Sequence, residues 1–430
     1  MIGIKQLLQI LQENPAVRNL CAGKSELGNL SLSEEALLLA AWFTRQPQTL
    51  LVVKNNSYTA QRLHERLTPL LPEDALLLVM EESLRVEAIA ASPQAKAEQL
   101  EVMAKILQRK RPYILIVNAA AFHRLLPSLA LFRSHCFHLH IDDEIEYDVL
   151  KQRLQSSGYT KVSHVDQPLC YAARGGIVDV YSMNYEHPVR IEFFDNIVES
   201  IRFFDAGSQR TIREVESVDI IPASDLLFTD EQLDELETAL KAAFEQQAHR
   251  LDELARTQLS QLLEDDLSAL RSHLSDQRLY PYLAWLKEQH SISDYCPDAR
   301  IVLSSREEVH DSIKQIQEET IHYVQEMTEE GRMLAKFTLF RDENACIAHH
   351  PLTTFDLFLN MMHPVSSQIM SVSPGELSFA RQLETIAQQA KANAVVLCVE
   401  KADAHTVIEG LNSEQLSYTE GAVDWKKPGI

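Results

Sequence analysis

The sequence predicts an α/β chain: a parallel-sheet domain, an antiparallel meander α+β domain inserted into it, and the start of a further small α/β domain. Three observations predict this. Over residues 1–133, continuous apolar runs of strand length alternate with segments of helical spacing. Between residues 177 and 204, three strand-length runs follow one another with only turn chemistry between them. From about Glu376 a helix, a strand and a second helix succeed one another.

In chain order, Leu37–Phe43 follows Ser33-Glu34-Glu35 with helical spacing. Thr49–Val53 is a buried strand, Thr59–Leu71 an amphipathic helix and Ala75–Val79 a second strand. Ala91–Lys110 is a helix whose start carries Ser92-Pro93, with proline placed where its missing N–H costs nothing. Tyr113–Val117 is a third strand. Apolar strands between helices imply a parallel sheet covered on both faces.

Residues 134–221 are the expected insertion, led by a helix at Ile145–Ser156. Its strands are Ile177–Tyr181, Pro188–Phe194 and Ile197–Phe204, separated by Ser182 to His187 and by Asp195-Asn196. Strand side chains repeat every second residue, so Val189, Ile191 and Phe193 share one face. Arg190, Glu192 and Phe194 share the other. An arginine beside an aromatic on an exposed face is the composition of a protein-binding hot spot. Truncating either is expected to leave the fold intact.

Thr229-Asp-Glu-Gln232 is a capping-box pattern opening a long helical stretch. Leu233, Leu236, Leu240, Phe244, Leu251, Leu254, Leu262 and Leu270 supply its apolar face. Asp294–Asp298 leads into strand Arg300–Leu303, which returns to the first sheet, and Glu307–Gly331 is a polar helix. The expected domains are 1–133 plus 222–345, 134–221, and 346–430. The last holds helix Leu377–Ala390, strand Ala394–Val399 and helix Ala404–Leu411. So few strands cannot close a core, so the chain reads as cut within this domain.

Composition narrows the function classes. Lys plus Arg total 40 against 62 Asp plus Glu, a net charge of −22 in 430 residues. Non-specific nucleic-acid affinity rests on cationic surface, so this chain is a poor holder of duplex DNA by itself. No apolar run is long enough for a membrane span, and Met1-Ile-Gly-Ile-Lys5 lacks the layout of a secretory signal. Six dispersed cysteines without a CxxC pair fit a reducing cytoplasm.

Two patterns suggest chemistry and fail on spacing. Gly23-Lys24-Ser25 ends like a phosphate-binding loop, but that loop needs a glycine where Arg18 stands, and no strand precedes it. It reads as a surface loop. His135, His138 and His140, with Cys136, have no second ligand cluster at metal spacing and read as structural. The adjacent pair His349-His350 reads as a loop feature. No catalytic residue, metal site or cofactor is expected.

Three ordered motifs carry a family resemblance. They are Arg174-Gly175-Gly176-Ile177-Val178-Asp179-Val180, then Pro188-Val189-Arg190-Ile191-Glu192-Phe193-Phe194, then Gln209-Arg210-Thr211. The segment resembles the second domain shared by the UvrB excision-nuclease subunits and the bacterial transcription-repair coupling factors. The resemblance extends more weakly over nearly the whole chain. It implies a degenerate, helicase-like parallel-sheet domain and a docking surface for the UvrA damage-recognition ATPase, at Arg174, Arg190 and Phe194. An arginine fork and an apolar ring suit an acidic, partly apolar partner surface.

Departures from UvrB point to the coupling factors. The stretch matching its phosphate loop, Gly28–Glu35, lacks Gly-Lys-Ser/Thr and carries two acids. The strand that should end in Asp-Glu to hold Mg²⁺ ends in Ser304-Ser305. Met80–Glu87 has no tyrosine-rich DNA-clamping hairpin. The resemblance therefore implies the N-terminal recruitment module of a coupling factor. The whole protein is then an ATP-dependent translocase displacing stalled RNA polymerase from duplex DNA, with ATP and Mg²⁺ confined to motor domains absent here. The alternatives are an active UvrB-type helicase or nuclease subunit, and a non-catalytic scaffold that does not bind UvrA.

Overall fold

The computed structural model describes residues 2–23, 26–28, 30–85, 92–356, 379–392 and 404–418, with single positions 395, 397 and 430. The chain divides into two compact units, one of residues 1–47, 65–72 and 356–430, the other of 48–64 and 73–355.

In the first unit, helices Ile2–Leu11 and Pro15–Cys21 pack on helix Leu32–Arg45. A short strand, β1 (Glu26–Gly28), precedes that third helix. Leu38, Leu39 and Trp42 are its buried face. Ser31 and Glu34 form a reciprocal capping box at its start. Helices Phe379–Ala390 and Ala404–Ser413 are also present. Lys24, Ser25, Val86, Glu87, Leu377, Ser378 and most of the expected strand Ala394–Val399 lie outside the described residues.

The second unit holds a parallel sheet and the insertion. β2 (Leu50–Lys54), β3 (Ala75–Leu78), β4 (Ile114–Asn118), β13 (Arg300–Ser304) and β14 (Leu352–Asp356) lie in the order β14-β13-β2-β4-β3. Every neighbouring pair among these five is parallel. β2 and β4 are buried at every position, as two-sided cover by helices requires. Each runs one residue past its apolar stretch, to Lys54 and Asn118.

The insertion enters on β5 (Phe137–His140) and leaves on β12 (Ser217–Ile220), and these two pair antiparallel at its neck. Between them lie β6 (Thr160–Lys161), β7 (Cys170–Arg174), β8 (Ile177–Val180), β9 (Val189–Phe194), β10 (Ile197–Phe204) and β11 (Thr211–Val215). Their order is β11-β10-β9-β8-β7-β6, a meander apart from the parallel β6–β7 pair. The three expected strands β8, β9 and β10 are its centre. Two of the flanking strands carry no apolar pattern to read: β6 is two exposed residues, and β11 is exposed at Thr211 to Glu214. One face packs on helix Tyr147–Ser156 in a core of its own, with Leu150, Leu154, Val178, Ile191 and Ile201 buried.

The leucine-rich stretch is a correction. It forms two helices, Asp230–Ala248 and Glu253–Arg271, the second restarted by Asp252 accepting from the Ala255 amide. The expected apolar face otherwise holds, with Leu233, Leu236, Leu240 and Leu270 buried and Phe244, Leu251 and Leu262 packed against the core; the break leaves Leu254 exposed and brings in Leu259 and Leu263. A buried ion cluster ties the chain where it returns from the insertion. Lys96 Nζ donates to both Asp225 oxygens at 2.7 and 2.8 Å, with Arg124 Nε 3.9 Å from the same carboxylate.

Candidate protein-docking site

Two sheet ends are candidates for chemistry. In an open parallel sheet, ligands bind beyond the carboxyl ends of the strands where the strand order reverses. Here that point lies between β2 and β13, neighbours in register from Leu50 to Val53. Lys54 Nζ donates to Ser304 Oγ at 2.6 Å across it, and both residues are buried. Asn118, at the end of β4, donates to the Met80 carbonyl at 2.9 Å and accepts from the Ala121 amide at 3.1 Å. Helix Ser57–Leu67 begins nearby, and its first amides could greet an anion. The Glu82 carboxylate already accepts from the Ser57 amide at 2.9 Å.

The groups at this edge differ from those that hold Mg-nucleotide in working sites. An ammonium and a hydroxyl stand where a metal needs carboxylates, and a carboxylate stands where a phosphate needs amides. In the stretch expected to match the phosphate loop, Glu34 and Glu35 are buried, and Glu34 accepts from the Ser31 amide at 2.8 Å.

The meander's outer face differs. The register sets Asp179 opposite Arg190, and Arg190 opposite Arg202. Arg190 Nε and Nη2 donate to the two Asp179 oxygens at 2.6 and 2.8 Å, and Nη2 also reaches Gln209 Oε1 at 3.0 Å. The guanidinium lies 4.4 Å from the centre of the buried Phe204 ring. Asp179 is buried, so this planar fork answers a carboxylate with little water to solvate it. Arg190 is thus a half-buried brace across β8, β9 and the loop at Gln209. That corrects the expectation of a removable exposed side chain, because removing it strands the Asp179 charge.

Glu192 accepts from Arg202 Nη1 and Ser200 Oγ, both at 2.9 Å. Its carboxyl is pushed up by burial, but the Arg202 and Ser200 hydrogen bonds outweigh this and hold it below the usual range. Phe194 closes β9 at 72% exposure, and its cross-strand neighbour Ile197 is 45% exposed. The two flank a two-residue turn in which Asp195 takes φ 56°, the positive φ such hairpins demand. Segment 142–145 braces the turn: the Ile145 amide donates to Asn196 at 2.9 Å and the Val198 amide to Asp143 at 3.0 Å. Phe193 turns inward, edge-on to Tyr147 at 5.8 Å between ring centres.

Arg174 is exposed at the end of β7, beside a Gly175-Gly176 turn with both φ positive. The Phe193 amide donates to the Gly176 carbonyl at 2.8 Å, so this turn lies at the Phe194 end of the sheet. Arg174 and Phe194 therefore share one end, and Arg190 sits about 13 Å back along β9. Sequence patterning missed Ile197, Asp179 and Gln209. The alternation along β10 could have flagged Ile197; the other two need the register.

The histidines do not converge. His138 and His140 are both exposed on β5, and His138 pairs with Asp219 at 2.9 Å on the neighbouring strand. His135 faces Ser157 Oγ at 3.1 Å, with burial and then the His273 charge lowering its affinity for a proton. His350 contacts the Ala299 carbonyl at 2.9 Å. Among the described residues no group of His, Cys, Asp and Glu is arranged to hold a metal, and no helix is long and apolar enough to cross a membrane.

Comparison with known proteins gives this face a context. A family model described as the UvrB interaction domain matches residues 137–226, which contain the whole meander. The chain is similar to the transcription-repair-coupling factor of Bacillus subtilis (strain 168), 29% identical over 401 residues, covering 90% of this chain and 33% of the relative. It is 28% identical over 341 residues to that of Staphylococcus aureus (strain bovine RF122 / ET3-1), covering 77% of the chain and 29% of the relative. It is 27% identical over 347 residues to that of Staphylococcus haemolyticus (strain JCSC1435), covering 79% and 29%. The chain spans about a third of the length of these relatives.

Proposed function

We propose that this chain is the N-terminal recruitment module of a cytoplasmic transcription-repair coupling factor, and that the open end of its meander docks UvrA. The observation that carries the reading is Phe194, 72% exposed on a braced sheet end inside the stretch that matches the UvrB interaction domain. An exposed aromatic held on a rigid element loses little entropy on binding, which makes it a good anchor. Phe194 is the apolar anchor, Arg174 an exposed cation beside it, and Arg190 contributes chiefly by holding the face. The similarity to coupling factors along 90% of the chain supports the wider role.

The domain assignment 1–133 plus 222–345, 134–221 and 346–430 belongs to the same proposal, as does the absence of catalysis and of any cofactor from this module. The polar ties at the β2 and β13 ends support the latter reading. ATP-driven translocation on duplex DNA and displacement of RNA polymerase are proposed for the remainder of the protein.

The test is capture of purified UvrA by this chain, with Phe194→Ala as the control. Specific capture lost in the variant is the expected result. Equal retention by both proteins, or by neither, counts against the docking site. A chain that bound and hydrolysed Mg-ATP instead would revive the UvrB-type helicase reading.

A further inference from the structure

The charge around the anchor has the opposite sign from the one an arginine-lined face suggests. Arg190 is committed to Asp179, and Arg202 to Glu192. On the side toward β10 and segment 142–145, what lies exposed beside Phe194 and Ile197 is acidic. Asp195 is in the turn itself, and Glu199 is the unpaired residue of a bulge between Val198 and Ser200. Glu144 forms an isolated bridge with Ile197 on the side of β10 away from Phe194, and it too is exposed. The backbone bonds from Asp143 and Ile145 fix that arrangement, so these carboxylates are carried on the same braced element as the anchor. Arg174 is the exposed cation that the register brings to this end of the sheet.

We propose that the partner's side of this contact is an apolar recess rimmed by lysine and arginine. The recess receives Phe194 and Ile197, and its rim faces Glu144, Asp195 and Glu199. The proposal rests on the UvrA-docking reading and adds its chemistry: Ile197 becomes half of the anchor, and the steering charge is negative on this chain. Exposed rim charges act mainly on the rate of encounter and its salt dependence, while a buried apolar anchor acts mainly on dissociation.

Those two signatures make the test. Surface plasmon resonance of this chain over immobilised UvrA, at several NaCl concentrations, reads both rates. The unmutated chain should associate more slowly as salt rises. The double variant Glu144→Lys/Glu199→Lys should associate roughly tenfold more slowly at low salt and lose most of the salt dependence. Ile197→Ser should dissociate about tenfold faster with its association rate kept. All three positions are exposed, so thermal melts should match the unmutated chain. Association of the charge-reversed variant as fast as the unmutated chain, or faster, overturns this inference alone. Absence of any UvrA binding by the unmutated chain overturns the docking reading and this inference together.

Discussion

The carboxyl edge of the parallel sheet and the open end of the meander are both places where strands stop and side chains gather. They treat those side chains oppositely. At the parallel edge, Lys54 meets Ser304, Asn118 meets Met80 and Ala121, and Glu82 meets Ser57. At the meander end, the ties run through the backbone of segment 142–145, with Arg190 bracing the strands further back, and leave Phe194 and Ile197 exposed. The difference teaches that a sheet end binds according to which of its groups the fold has already used. An internally satisfied edge contributes stability, and a braced but uncovered one leaves its surface open to solvent.

The largest test of that contrast lies in the parallel-sheet unit. Asp225→Ala removes the carboxylate shared by buried Lys96 and Arg124, and should cost about 3–5 kcal/mol in denaturant unfolding at neutral pH. Burial raises the Asp225 carboxyl, but the Lys96 charge and then Arg124 outweigh it, so its folded pKa lies below its ordinary value. A depressed carboxylate stabilises fully above its unfolded value of about 4 and loses that contribution as pH falls through the folded value. The gap between the unmutated chain and Asp225→Ala should therefore close as the pH drops below about 4. A gap independent of pH would mean that packing, not charge, holds the return from the insertion.

Within the meander, two truncations should separate brace from anchor. Arg190→Ala should lower unfolding free energy by about 2 kcal/mol, because a buried carboxylate loses its fork, and should weaken UvrA binding as a consequence. Phe194→Ala should weaken binding by about 2 kcal/mol, roughly thirtyfold, with unfolding shifted by no more than about 0.5 kcal/mol. Calorimetric melts beside surface plasmon resonance would show both. An early melt for Phe194→Ala, or a stable Arg190→Ala, would reverse the two roles.

The smallest expected effect is none at all. Titration calorimetry with Mg-ATP should yield no micromolar binding, since Lys54 and Glu82 already answer the groups around a nucleotide-type crevice. A measurable micromolar affinity would mean that the parallel edge opens, and the contrast between the two sheet ends would fail.

Much of this molecule is written locally. The apolar runs at β2 and β4, the two-residue period of β9, and the turn at Asp195-Asn196 each depend on neighbours a few positions away. The class, the insertion and the exposure of Phe194 follow from them. The motifs from Arg174 to Thr211 carried the family resemblance for the same reason, because they lie in one short stretch. Other features were decided by residues brought together from afar. Lys54 and Ser304 meet across 250 positions, and Arg190 finds Asp179 and Gln209 only once three segments share a register. Glu144 reaches Ile197 through backbone bonds from a segment outside the meander strands. Side-chain type and spacing set which faces bury. Which charges remain exposed depends on which find a counter-charge, and pairing across the fold is a property of tertiary contact alone.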